Sequence, residues 1–520
     1  MSAPEDRPPA RARLIRRAAG WRSWIRGDPV TYVVGAAAFV VYVLHGFDGR
    51  LSRDLAVYAY AGQQVADGVP PYEGIMNRAG PLAHLVPGLG AGFARLGGFD
   101  DVLGMRLLFL AISVACMCLM YVLARTLFAS RLAGIAASAT LLSFAGFIEY
   151  ASNGPREKTL MVLFLLCTLL AMAHRRWFAA GVALCLGTLT WQPVLFVGLA
   201  ALAVTLIADR PDRPIRAVGR LVAGLAAPAV LCLVYFAIVG APRAFVDGFL
   251  RVNLKYTEAS PFWSRPGSKW ARLTDGFGVS TWVLVAGLVA LAAVAILAVV
   301  GGRRREPASV TVVAVGVAGL VSIVWTARNF NGWPDAFLML PFAAIGIGGA
   351  ARAVADYVRP RSAVLATSAW VVVAVAVALA LTYAIAQRSD GLDQQRDEVA
   401  MIRSEIPGAT FLSIEAPQPL VLSGMTNPTR YQMFQDGLDR YVKHHWPGGL
   451  HGFADWIGRQ EATIIAIGRH GVPRWLRETI QQKYLYAGEA KGWTCYVNRS
   501  VDPQIVSKLR NQLPPGPPSG

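Results

Sequence analysis

The chain has 520 residues, 54% of them hydrophobic and 16% charged, with a mean hydropathy of +0.43 and a formal net charge of +18. Apolar runs of about 18 to 24 residues recur along it; in hydrocarbon such runs must close their backbone hydrogen bonds internally, so the composition excludes a soluble globular protein. The positive charge falls mostly in short loops between these runs, where it sets orientation, which excludes nucleic acid as a partner.

Arg7, Arg11, Arg13, Arg16, Arg17, Arg22 and Arg26 crowd the segment 1–29 and predict a cytoplasmic N-terminus. No small-residue cleavage site follows, so Val30 to Leu44 is expected as an uncleaved first span. Later spans are predicted from Gly104 to Ala124, Leu132 to Glu149, Thr159 to Ala173, Phe178 to Trp191, Pro193 to Ala208 and Leu221 to Val239. Four more follow, Ser280 to Val300, Ser309 to Trp325, Ala336 to Ala350 and Ala363 to Ala386. The total is about eleven transmembrane helices in a mainly α domain over 30–386. At Trp191-Gln192-Pro193 two short spans meet almost without a loop, and a re-entrant pair or one kinked helix also fits.

By alternation, loops 46–103 and 240–279 and everything after Gln387 face outward. In the first loop, DLAVYAYAGQQVADG places Leu55, Tyr58 and Val65 on one helical face, which predicts a helix lying on the membrane, stopped by Gly68, Pro70 and Pro71. Residues 387–510 read as an extracytoplasmic α/β domain: ATFLSI and ATIIAIG as strands, helices around Tyr431 to Trp446 and Pro473 to Gln482, and YLYAGEAKGWTCYV as a hairpin. Residues 511–520, NQLPPGPPSG, are expected to be a disordered tail. Five of the six cysteines lie in apolar runs and only Cys495 outside one, so no disulfide or zinc framework is expected.

Three outward segments carry charges that orientation does not explain. They hold Arg53, Asp54, Glu73, Arg78 and His84; then Glu149, Arg156, Glu157 and Lys158; then Arg328 and Asp335. All would meet near the ends of spans on one side of the bilayer. Guanidinium groups bind phosphate through forked hydrogen bonds, Lys adds a point charge, and a neighbouring carboxylate can take a proton from a hydroxyl, so the set suits a lipid phosphate. Plainer uses exist for each. Asp54 or Ser52 could cap a helix; Arg78, Arg156, Lys158 and Arg328 could anchor lipid head groups; Glu157 could pair with its neighbours; His84 could be an ordinary interfacial histidine. Trp446, Trp456 and Trp493 are expected to be buried rather than stacked on sugar.

Asp54 followed by Tyr58 and Tyr60, Arg78-Ala79-Gly80-Pro81-Leu82, Glu157 in PREKTLMVLFLL and the stretch NGWPDAFLMLP together resemble the GT-C glycosyltransferases. That family includes protein mannosyltransferases, lipid A aminoarabinose transferases and arabinofuranosyltransferases. The resemblance implies transfer of a sugar from a polyprenyl-phosphate donor to a glycan, lipid or protein acceptor at the outer face of the cytoplasmic membrane, with inversion. It implies Asp54 as catalytic base and Arg78, with Arg156, Lys158 or Arg328, as holders of the donor phosphate. Arg53, Tyr58, His84, Glu157 and Asp335 are the further candidates for substrate contact or a second acid. No metal ligand set is evident, and the resemblance leaves a divalent metal open because family members differ on it. A transporter or flippase for lipid-linked sugars is the alternative class.

Overall fold

The computed structural model describes residues 28–209, 213–300, 307–358, 369–388 and 390–514. The basic segment 1–27 and residues 515–520 therefore lie outside the described residues. Helix α1 (Pro29–His45) begins at the cap Asp28, whose buried carboxylate pairs with Arg125 and Arg131. The first long loop holds α2 (Arg53–Ala66) and α3 (Leu82–Gly97). Then come α4 (Asp101–Phe128), α5 (Arg131–Leu142), α6 (Ala145–Asn153), α7 (Glu157–Ala173), α8 (Trp177–Thr188), α9 (Val194–Asp209) and α10 (Pro214–Ile238). A π-helical stretch, Val246–Tyr256, and α11 (Pro266–Phe277) occupy the second long loop. The helical domain closes with α12 (Ser280–Val300), α13 (Pro307–Arg328), a 3-10 turn at Trp333–Leu338, α14 (Leu340–Val358) and α15 (Ala369–Ala386).

Among the described residues, five helical stretches are long and apolar enough to cross a membrane by length and composition, or six if a bent pair counts as one span. That pair is α5 and α6, which meet at 72°, so the expected straight span from Leu132 to Glu149 is broken at Ser143. The α1, α8 and α9 helices are shorter and apolar, and α8 and α9 are separate helices joined through residues 189–193. Small residues let these helices approach closely: a Cβ on Gly346 of α14 would stand 2.0 Å from the Gly287 carbonyl oxygen of α12.

The first long loop corrects one expectation. Leu55 through Gln64 of α2 are buried, so α2 lies under protein and not on the membrane. The Tyr60 hydroxyl accepts from Asn427 N at 2.8 Å and Gln63 donates to the Val421 carbonyl at 3.2 Å, which ties α2 to the C-terminal domain. The uncovered apolar face belongs to α3, where Leu89, Phe93 and Leu96 are exposed. Periodicity marks an apolar face without saying what covers it.

That domain contains α16 (Gly391–Glu405), β1 (Phe411–Ile414), α17 (Gln418–Ser423), α18 (Leu438–His445), α19 (Gly449–Gln460), β2 (Ile464–Gly468), α20 (Arg477–Lys483), β3 (Tyr484–Ala490), β4 (Trp493–Asn498) and α21 (Pro503–Gln512). Its sheet runs β1-β2-β4-β3, with β1 and β2 parallel and the other pairs antiparallel. The β3–β4 hairpin matches the expected one. By contrast, residues 431–437 are not helical; helix starts only at Leu438. The last helix runs through residues 511 and 512, inside the segment expected as tail, and Leu513 is buried. Cys495 is fully buried in β4, and all six cysteines are unpaired by disulfide.

The loop that leads into α2 is fixed from three sides. Arg106, fully buried in α4, donates to the carbonyls of Phe47 and Gly49. Gly49 N donates to Asn153 Oδ1 at 3.0 Å, and Gln395 of α16 bonds both the amide and the carbonyl of Leu51, at 2.7 and 3.0 Å. Each contact satisfies a backbone group taken from water, so the start of α2 is held rigidly.

Candidate active site

Helix α2 is capped by Ser52, whose hydroxyl accepts from Leu55 N at 3.3 Å. Capping is thus not the work of Asp54, whose carboxylate is engaged elsewhere. Arg53 donates Nη2 to Asp54 Oδ1 at 2.9 Å, and Arg156 stands with Nη2 2.9 Å from Asp54 Oδ2. Burial opposes ionisation of Asp54, but Arg156 and Arg53 outweigh it and bring the carboxyl down to about 2.

Arg156 precedes α7, and Glu157 and Lys158 open it. Arg156 Nε lies 3.2 Å from Glu157 Oε2, and Lys158 Nζ lies 3.7 Å from Glu157 Oε1 and 3.4 Å from Asp335 Oδ1. The Lys158 ammonium also sits 3.0 Å from the ring centre of Trp191, while the Arg156 guanidinium lies 5.4 Å from the rings of Tyr58 and Tyr150. Arg156 and Lys158 are buried, which does not suit anchors for lipid head groups. Asp335 is oriented by the amide of Asn331, which donates to Oδ2 at 2.8 Å.

Arg78 faces this cluster from the loop before α3. Its carbonyl accepts from Gln192 Nε2 at 3.1 Å and Asn253 Nδ2 at 3.0 Å, and its Nη2 donates to Asp436 Oδ2 at 2.8 Å. Arg328 enters from the end of α13. Arg53, Asp54, Tyr58, Arg78, Arg156, Glu157, Lys158, Arg328 and Asp335 all line one cavity of 1310 Å³. Its wall is polar around these residues and apolar where Phe196, Leu250, Leu254, Leu320 and Val324 close it.

His84 is the exception. It is buried outside the cavity wall, with Nε2 3.0 Å from Asn77 Oδ1 and its ring 5.0 Å from that of Tyr72, and burial pushes its pKa down to about 3. Asn77 Oδ1 also accepts from Ala79 N at 3.0 Å, so His84 braces the turn that carries Arg78 and is not positioned to touch a substrate. Glu73 and Glu149 also point elsewhere, to Arg430 and His45. Trp493 is buried in the sheet, and Trp446 and Trp456 pack on Phe453. Among the described residues no three His, Cys, Asp or Glu side chains converge as a metal-binding group.

Sequence reasoning missed Trp191, Gln192, Asn253, Glu415 and Asp436. The last two come from the C-terminal domain. Asp436-Gly437, both at positive φ, carried the turn signal that could have separated residues 431–437 from the helix after them.

A family model described as dolichyl-phosphate-mannose-protein mannosyltransferase matches residues 84–239, which includes Arg156, Glu157 and Lys158. Among curated proteins none matches by sequence. Among solved structures, ArnT from Cupriavidus metallidurans in the apo state aligns with 96% of this chain and 100% of its own, at 14% identity and a TM-score of 0.59. The chain has the fold of the GT-C glycosyltransferases. ArnT from Cupriavidus metallidurans bound to undecaprenyl phosphate aligns at 14% identity over 96% of this chain and 100% of its own, with a TM-score of 0.58. The Archaeoglobus fulgidus oligosaccharyltransferase tethered with an acceptor peptide aligns at 13% identity over 92% of this chain and 74% of its own, with a TM-score of 0.52.

Proposed function

We propose that this chain moves one sugar from a polyprenyl-phosphate-linked donor to an acceptor hydroxyl at the outer face of the cytoplasmic membrane, with inversion and with Asp54 as general base. The observation that carries the reading is an ionised Asp54 set beside a group of cations in a cavity with one polar and one apolar wall. The acceptor O–H gives its proton to Asp54 as its oxygen bonds the anomeric carbon. The bond from that carbon to the phosphate oxygen breaks, and polyprenyl phosphate departs with the electron pair. Arg78, Arg156, Lys158 and Arg328 stabilise charge where it grows. The apolar wall, with Leu254, Leu320 and Val324 exposed, suits an isoprenoid chain entering from the bilayer.

A carboxyl at about 2 is a weak base near neutral pH, because proton transfer is most efficient when the pKa lies near the working pH. Donor binding answers this. A phosphate competes with Asp54 for Arg156, and each hydrogen bond moved from carboxylate to phosphate returns basicity to Asp54. The base thus strengthens when the substrate is present. The acceptor is a glycan, lipid or protein hydroxyl. Purified protein given a polyprenyl-phosphate sugar and candidate acceptors in detergent micelles is expected to form glycosylated product and free polyprenyl phosphate. Mass spectrometry of copurified lipid is expected to find the carrier. Absence of transfer with every such donor would overturn the reading.

A further inference from the structure

Asp54 is linked to a carboxylate of the C-terminal domain that no part of the proposed reaction uses. Glu415 lies just beyond the end of β1, and its side chain is 7% exposed. Its Oε2 accepts from Arg53 Nη1 at 2.9 Å, while Oε1 accepts from the amide of Phe434. Arg53 turns its Nε and Nη2 to Asp54 Oδ1, at 3.0 and 2.9 Å, so one guanidinium bridges two carboxylates.

The backbone at this position is unusual. Glu415 has φ of 61°, a conformation costly for a residue with a side chain, and its amide is held by the Gln432 carbonyl at 2.8 Å. Gly468 opposite leaves the space, since a Cβ there would stand 2.5 Å from the Glu415 carbonyl oxygen. A buried carboxylate in a strained backbone is costly for stability alone, and burial raises the Glu415 pKa, an effect that Arg53 offsets only in part. Such features persist when the surrounding structure holds them, and they gather at working sites.

We infer that Glu415 is a positioning residue for Asp54, acting through Arg53. It fixes the guanidinium so that Arg53 addresses a single oxygen of Asp54, and it takes a share of the Arg53 charge that would otherwise fall wholly on Asp54. Orientation and basicity of the base then depend on the C-terminal domain. This inference rests on Asp54 being the base.

The test compares Glu415→Gln, Arg53→Gln, the double variant and Asp54→Asn in the full-length protein. Turnover, polyprenyl-phosphate affinity and melting temperature are read for each. Glu415→Gln is expected to lower kcat about tenfold or more with donor affinity within about twofold, and the double variant to be no slower than Arg53→Gln, because one residue acts through the other. Restoration of part of the turnover by Glu415→Asp is also expected. Unchanged kcat in Glu415→Gln, with Asp54→Asn inactive, would overturn the inference and leave the base intact. An active Asp54→Asn would instead sink the base itself. A double variant slower than Arg53→Gln, or a parallel fall of kcat, affinity and melting temperature, would reduce Glu415 to a structural tie and overturn the inference. Should Glu415→Gln not fold, Arg53→Lys reads the same bridge: an ammonium cannot make the fork to Asp54 and reach Glu415 together, and unchanged turnover there overturns the proposal.

Discussion

Arg156 and Asp54 meet at 2.9 Å although 102 positions separate them in the chain, and the same guanidinium leans on Glu157 at 3.2 Å. A cation shared between two carboxylates can be claimed by a third anion at low cost, since one partner remains when the other is released. This makes Asp54→Asn informative. The substitution keeps the size of the side chain, and the helix cap belongs to Ser52, so folding and donor binding are expected to survive. Turnover is expected to fall about 10² to 10⁴-fold, the usual loss when a general base is removed. Turnover with a polyprenyl-phosphate sugar, measured with donor affinity, checks it.

Arg78→Ala is expected to weaken donor binding about ten- to a hundredfold, the equivalent of about 1.5 to 3 kcal/mol for a charge-assisted contact to phosphate. Arg95 is the control, because it pairs with Asp67 and Asp101 and lines no part of the cavity. Equal losses in both variants would return Arg78 to the role of surface cation.

Glu157→Gln tests whether the acid in α7 is structural. Its carboxylate lies between Arg156 and Lys158, all three buried, and its loss leaves two cations with fewer partners. Breaking a buried ion pair costs about 3 to 5 kcal/mol, so a marked fall in melting temperature is expected. An unchanged melting temperature with lost turnover would mark Glu157 as a second acid instead.

His84 gives a pH signature. Its folded pKa, about 3, lies below the ordinary value of 6.5, so the unfolded chain binds the proton more readily. Stability from the neutral ring is complete above the unfolded value and is lost as pH falls from there towards the folded one. Melting temperature is expected to drop on acidification from about pH 7.5 to 5, and His84→Gln to flatten that slope. Asp54 adds nothing over this window, because its folded and ordinary values, about 2 and 3.8, both lie below it.

Orientation can be read with a thiol. Native Cys495 is buried and its pKa is pushed up to about 12, so it should stay unlabelled in the folded protein. Exposed Arg469, changed to Cys, is expected to react with a membrane-impermeant reagent in intact cells. Labelling only after lysis would reverse the topology.

The sequence made Asp54, Arg156, Glu157 and Lys158 legible because charges at the ends of apolar runs break the orientation pattern and need another reason to be there. His84 looked equivalent, since a sequence does not say which way a side chain turns. Glu415 and Asp436 were out of reach: their partners Arg53 and Arg78 lie 362 and 358 positions away, and nothing local announces such a pairing. The burial of α2 was hidden for a related reason, as the same apolar face can be covered by lipid or by another part of the chain.

The bridge from Arg53 to Glu415 also sets an order of events during synthesis. Arg53 leaves the ribosome early, yet its partner hangs on β1, which pairs with β2, which pairs in turn with β4 ending at Asn498. The helical domain can be threaded into the bilayer long before that sheet closes. A chain cut before β4 therefore holds Asp54 and Arg53 without the clamp, and residues 411–498 serve as the checkpoint for a loop completed more than 350 positions earlier.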